Sequence, residues 1–229
     1  MTTSTYCYKP RRALSLNPMA FQRELLTAGG LCGQAGRTFM SSTCARCGVL
    51  AAMLFLRCHS AYRTAAGHAA AGQAVESYIM DRAMLEFAAY ALHIFRDPTL
   101  GMVWLNRYQS KANMEAARNA FSHRKVQATV TATNRHAGER FEALYQRTID
   151  FGGHPNERSV TGSMSMVEEP DRPVMLAIFL HGEGPALDMA LKTTAQCGVC
   201  SLEILQGVFN PLFELLGVNA AILELRKGL

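Results

Sequence analysis

The stretch Tyr145-Gln-Arg-Thr-Ile-Asp-Phe-Gly-Gly-His-Pro-Asn156 divides the chain into two kinds of sequence. Upstream of it apolar residues recur at helical spacing. Downstream, the next two runs read as extended. The Gly152-Gly153 pair marks the change, because glycine adopts backbone conformations that end a helix at little steric cost. The break delivers His154 and Asn156 at its mouth, while Arg147 and Asp150 occupy the last helical positions before it. A chain reversal at the glycine pair would bring a permanent cation, a carboxylate and an imidazole to one place, which makes this a candidate site. For the fold, the pattern implies a mainly all-α protein, a multi-helix up-down bundle with one small β-hairpin inserted before the C-terminal helices.

Working outward, Asn134 is placed to cap a helix through Phe141, Leu144, Tyr145 and Thr148. Ser122 to Thr133 is rich in β-branched residues, but its helical flanks favour a helix there too. Asp97-Pro98 supplies a helix start for a stretch running through Trp104, Tyr108 and Met114 towards Phe121. Before it, one long helix covers about Cys44 to Tyr62 and a second runs from about Gln73 to Arg96. On the other side of the break, Ser159–Val167 and Val174–Leu180 flank the turn Glu168-Glu-Pro-Asp-Arg-Pro173, giving a hairpin near 159–181. A lone hairpin is marginal, so Met164, Met166, Leu176 and Ile178 are expected to lie against helices. Gly184-Pro185 opens a helix over Ala186–Gln206, and Asn210-Pro211 and Gly217 divide the remainder into two shorter helices. Residues 1–43 read as an irregular segment with a short helix over Pro18–Thr27, and residues 44–229 as a single helical-bundle domain.

A chain of 229 residues with 49% hydrophobic content can bury one substantial core. Its charged fraction of 18% is low, so some surface is expected to be covered by a partner subunit in a homo-oligomer. The net charge of +5 is spread along the chain, which permits RNA binding without indicating it. The longest apolar run, Val49 to Leu56, stops well short of the ~20 residues that span a bilayer, so no membrane partner is expected. Residues 1–46 carry Lys9, Arg11, Arg12, Arg23, Arg37 and Arg46 against Glu24 alone, a balance shared with organelle transit peptides, but without a sustained amphipathic helix. An odd seven cysteines in a mid-sized helical chain fit a reducing, cytoplasmic setting better than a disulfide framework. Cys44/Cys47 and Cys197/Cys200 have zinc-ligand spacing, yet they lie far apart in sequence within apolar helical segments and read as core thiols. No metal and no cofactor is therefore expected.

On the second helix Arg82, Glu86 and His93 fall on one stripe, opposite Met80, Met84, Phe87, Ala91 and Ile94. Arg82 and Glu86, four apart, form either a surface pair or a buried one that presents a guanidinium to an anion. These three, with Tyr145 and Asn156 at the glycine break, are the candidate binding residues.

Arg82-Ala-Met-Leu-Glu86 in an early long helix, Tyr145-Gln-Arg147 with His154-Pro155-Asn156 at a helix end, and then a hairpin with closing helices, together resemble bacterial helical proteins related to the HEPN superfamily. The resemblance covers about Gln73 to the C-terminus and implies an all-helical, often dimeric bundle. In the active members an Arg and a His with four to six residues between them form a metal-independent ribonuclease site. Arg147 with His154 meets that spacing, as does Arg63 with His68. Two departures stand out: only Thr148 follows the Arg as a polar residue, and the glycine pair interrupts the helix. For such a site the resemblance implies that His154 takes the proton from a ribose 2′-hydroxyl and Arg147 stabilises the phosphorane, a second subunit protonating the leaving oxygen. Many relatives with this fold look like non-catalytic binding or regulatory modules, the reading adopted here. In the corresponding architectural reading His154 and Asn156 bond backbone groups and Arg147 pairs with Asp150 or Glu142. A third alternative is a small-ligand sensor with a pocket lined by Met80, Met84, Met164, Met166, Met175 and Met189.

Overall fold

The computed structural model describes residues 43–154, 156–170 and 172–229, and their side chains from Gly48 onward apart from that of Glu169. The irregular N-terminal segment, the Pro18–Thr27 helix and the Cys44/Cys47 thiols lie outside the described residues. The chain is mainly all-α, with a two-stranded antiparallel hairpin ahead of the C-terminal helices. Among the described residues no single helix is long and apolar enough to cross a membrane.

Helix α1 (Thr43–Ala70) buries Ala51, Leu54, Phe55, Cys58, Ala61, Ala65 and Ala69, a stripe at three- and four-residue spacing. It runs eight residues past the expected end at Tyr62, because alanines outweigh Gly67. Gly72, at φ +81°, then closes it: Gln73 N–H donates to His68 O at 2.9 Å and Gly72 N–H to Ala69 O at 3.0 Å. His181 N–H also donates to Gly72 O at 2.8 Å, and a Cβ on Gly72 would collide with His181 O, so this turn admits only glycine.

Helix α2 (Ala74–Arg96) is central. Met84, Leu85, Ala88, Ala89, Ala91, Leu92 and Ile94 are covered almost completely, which matches a sequence that is apolar nearly all round. It packs chiefly along α8 (Pro185–Leu215), where Gly207 lets Leu92 approach closely. The α1 side of α8 is joined through Tyr62 at Gly198 and through Phe55, whose ring centroid lies 5.5 Å from Phe209 and 6.2 Å from Phe213. Helix α8 bends at Phe209, two residues before Pro211, instead of ending near Gln206. Gly217, at φ +72°, separates it from α9 (Val218–Leu225).

The expected third helix is two. Helix α3 (Thr99–Leu105) begins where Asp97 Oδ1 accepts from Thr99 N–H at 3.0 Å, and α4 (Lys111–Ala120) begins where Ser110 Oγ accepts from Asn113 N–H at 3.0 Å. Ser110 competes for helix-start hydrogen bonds, which breaks the run between Tyr108 and Met114. Helix α5 (His123–Thr133) and helix α6 (Arg135–Thr148) meet at Asn134, which caps α6 by accepting from Ala137 N–H at 3.1 Å.

The π-helical turn Ile149–Gly153 follows, then the short helix α7 (Glu157–Thr161). The hairpin is shorter than expected. Strand β1 (Met164–Glu169) pairs with β2 (Arg172–Ala177) in the register Met164↔Ala177, Met166↔Met175, Val167↔Val174, while Ser159 belongs to α7. The expectation that its apolar residues lie against helices is not met for Met164, Met166 and Leu176, which are 41%, 64% and 48% exposed; only Ile178 of the four is half-buried.

Candidate functional site

Arg82 and Glu86 leave the same side of α2 one turn apart, and α6 brings Tyr145 to them. Arg82 Nε donates to Glu86 Oε1 at 3.0 Å, Arg82 Nη2 donates to Tyr145 Oη at 3.1 Å, and the Tyr145 hydroxyl donates to the same Glu86 oxygen at 3.0 Å. The three side chains close a hydrogen-bonded ring in which the phenol is acceptor and donor at once. The guanidinium also lies over the Tyr145 ring, 5.2 Å from its centroid. Burial and the Glu86 charge raise the phenol above its ordinary range against the opposing Arg82, so it keeps its proton at neutral pH. The ring is not sealed, since Arg82 and Glu86 side chains are 29% and 38% exposed.

Helix α5 adds His123, a residue outside the expected set. It stacks on Tyr145 at 4.2 Å and on Phe141 at 5.7 Å, and its Nε2 meets Glu142 Oε2 at 2.7 Å. Gln146 donates to the other Glu142 oxygen at 3.0 Å. Burial pushes the Glu142 carboxyl up, but the hydrogen bonds from Gln146 and His123 outweigh it and hold the group below the usual carboxylate range. Charge and aromatic groups from α2, α5 and α6 thus converge on one half-exposed face.

One turn beyond Glu86, Tyr90 borders a cavity of about 200 Å³ whose other walls are Trp104, Arg107, Ala117, Arg118 and Phe121. Tyr90 packs at a tilt against Phe121, ring centroids 4.9 Å apart, and its hydroxyl donates to Phe121 O at 3.3 Å. Burial and Glu86 raise the Tyr90 phenol, while Arg107 and Arg82 both oppose the rise. Arg107 stands 4.8 Å over the Tyr108 ring, with its Nε buried and without a hydrogen-bond partner. The break between α3 and α4 creates this cavity. One helix running unbroken through Tyr108, as the sequence pattern implies, would leave no room for it.

The other expected residues are dispersed. His93 is buried elsewhere: its Nε2 donates to Ala120 O at 3.2 Å and its Nδ1 lies 2.7 Å from Thr129 Oγ1, and burial lowers its pKa, so a neutral imidazole ties α2 to the end of α4. Arg147 turns towards α8, donating to Gln196 Oε1 at 2.7 Å and reaching Thr193 Oγ1 at 3.5 Å, rather than pairing with Asp150 or Glu142. Asp150 pairs with Arg158 at 3.6 Å. His154 is exposed just after the π turn. Asn156 donates to Ile149 O at 2.8 Å and accepts from Ser159 N–H at 2.9 Å, capping α7 and clamping the turn. His68 lies 2.5 Å from Gln73 Oε1 through Nδ1 at the end of α1.

The buried acid Asp81 escaped the sequence reading, although it stands among core positions of α2, one turn after Tyr78. Its Oδ2 accepts from Thr194 at 2.9 Å and its Oδ1 has no partner. Burial raises its carboxyl to about 7, against the Thr194 hydrogen bond. Cys197 and Cys200 are buried free thiols, and burial pushes Cys200 up to about 12. The methionines do not gather: Met84 is fully buried, whereas Met164, Met166 and Met175 are exposed on the hairpin. Comparison with family models, with curated proteins and with solved structures returns no significant match.

Proposed function

We propose that this chain is a non-catalytic binding module of regulatory type, whose working region is the side of α2 that carries Arg82, Glu86 and Tyr90. The observation that carries this reading is the cavity bordered by Tyr90 and two arginines, which adjoins the preorganised Arg82–Glu86–Tyr145 ring. A concave wall of aromatic and apolar groups with a few convergent polar ones is the usual form of a small-ligand site, and half of this wall is aromatic. The engagement of Arg147 with Gln196 supports a positioning role inside the bundle over a role in phosphate chemistry.

Two measurements test it. Purified protein incubated with RNA in a chelator should leave the RNA intact, and His154→Ala should behave like the parent. Metal-free cleavage that disappears in His154→Ala or Arg147→Ala would establish the ribonuclease alternative instead. In a thermal-stability screen of small organic ligands, the module should gain stability from at least one, because a ligand that binds only the folded state stabilises it by mass action. A screen in which no ligand raises the melting temperature would reduce the chain to a structural role. Tyr145→Phe should cost about 1 kcal/mol in urea unfolding, since it removes one acceptor and one donor from a half-exposed ring.

A further inference from the structure

We propose that the cavity between α2, α3 and α4 is a site for a small aromatic carboxylate: one planar ring held by Trp104, Tyr90 and Phe121, with its anionic group on Arg107 and Arg118. This names a ligand class for the binding reading above and rests on it.

Size decides against larger ligands. An apolar cavity of ~150 Å³ holds a benzene molecule, so about 200 Å³ accommodates a single ring with a short acidic substituent. Drug-sized ligands and nucleotides need a cavity of at least ~300 Å³. Three of the six lining residues are aromatic: Tyr90, Trp104 and Phe121. Their faces favour stacked or edge-on packing of another ring over aliphatic chains.

Charge decides for an anion. Neither Arg107 nor Arg118 is ion-paired to a carboxylate among the described residues. Some other guanidiniums carry an ion pair, as Arg82 does with Glu86, Arg135 with Glu139 and Arg140 with Glu203, while Arg147 bonds the neutral Gln196. Arg107 is half-buried, stacked on Tyr108, and has an Nε shielded from water without a partner. A carboxylate entering the cavity would meet the outer edge of the Arg107 guanidinium, which lines it. Arg118 is exposed at the same cavity, which suits it to meet the charge as the ligand enters. The planar guanidinium matches a carboxylate through two parallel N–H donors.

The chain offers a clean reporter, because Trp104 is its only tryptophan. The experiment titrates the full-length protein with benzoate, following Trp104 emission, with benzyl alcohol, cyclohexanecarboxylate, acetate and inorganic phosphate as separate arms. Benzoate should change the emission saturably and bind more tightly than every other arm. Arg107→Ala should weaken it by at least about tenfold, the order expected for losing a charged hydrogen bond, with melting temperature and circular dichroism confirming that the variant is folded. Should Arg107→Ala fail to fold, Arg118→Ala, on the exposed rim, replaces it, with weaker benzoate binding expected. The idea fails if benzoate leaves Trp104 unchanged, if acetate or phosphate binds as well as benzoate, if benzyl alcohol or cyclohexanecarboxylate binds as well, or if a folded arginine variant keeps the parent affinity. A ligand from the stability screen that protects the protein with Trp104 silent would sink this site while leaving the binding module standing.

Discussion

At the scale of single residues, the most consequential group is Asp81, placed by α2 where no water reaches it. Unfolded, its carboxyl ionises near the ordinary 3.8; folded, it holds its proton until about 7. Between those values the folded chain binds a proton that the unfolded chain has released, so this residue's contribution to stability is present at low pH and is lost as pH rises through about 7. The loss amounts to a few kcal/mol at most, because each pH unit separating the two ionisations is worth ~1.4 kcal/mol. The groups around it do not reverse the direction: Tyr62 and Tyr78 sense its charge, and Arg147 acts on Tyr78 and Cys197 beside it. Asp81→Asn mimics the protonated acid and retains an oxygen for Thr194. It should stabilise the protein most at about pH 8, less at about pH 5 and little at about pH 3, and so flatten the pH dependence of the urea midpoint. An Asn variant that is less stable on the alkaline side would mean that Asp81 works as a paired carboxylate.

At the scale of elements, the glycine break works by close approach. A Cβ on Gly152 would lie 2.5 Å from Val75 O and 3.2 Å from Tyr78 Cβ, while Phe151 packs on the Tyr78 ring at 5.8 Å. The obstacle is α2 backbone, which cannot swing aside. Gly152→Ala should therefore cost about 1–3 kcal/mol, the range for overpacking a filled contact. Gly67 in α1 is the control, with nothing within 4 Å of its added Cβ; there alanine should stabilise by up to ~1 kcal/mol through helix propensity. Equal effects of the two substitutions on the urea midpoint would sink the close-approach account. Much at this scale was legible in advance, because it depends on local chemistry: the Asn134 cap, the Arg82–Glu86 pair and the end of helical periodicity at Gly152. The split at Ser110 was not, since a helix-start residue inside an apolar pattern is outvoted by that pattern until its hydrogen bond is seen. The cavity was invisible for the same reason, and so was His123, whose role depends on how α5 crosses α6. Arg147 and His154 met a spacing rule, but spacing does not fix the side of the helix that α8 will claim.

At the scale of the whole molecule, the hairpin stands apart from the core that α1, α2, α6 and α8 share. The extended runs that carry Met164, Met166, Leu176 and Ile178 announce strands but cannot say whether anything covers them, and in this chain Met166 and Met175 remain 64% and 62% exposed. The base of the hairpin is closed independently, with Ile178 N–H donating to Ser163 O at 2.7 Å. The connection to α1 is made further on, by His181 at Gly72. Replacing residues 164–177 with a short glycine-serine turn should therefore leave the bundle folded. Shortening that connection lowers the loop-closure cost by about 1 kcal/mol or less, which roughly offsets the loss of the few contacts β1 makes with α7. The expected outcome is a melting temperature within a few degrees of the parent, a cooperative transition and an unchanged Trp104 response to benzoate. A variant that melts broadly or loses near-ultraviolet circular dichroism would show that the hairpin belongs to the folding unit, and that its exposed methionines support the bundle instead of standing clear of it.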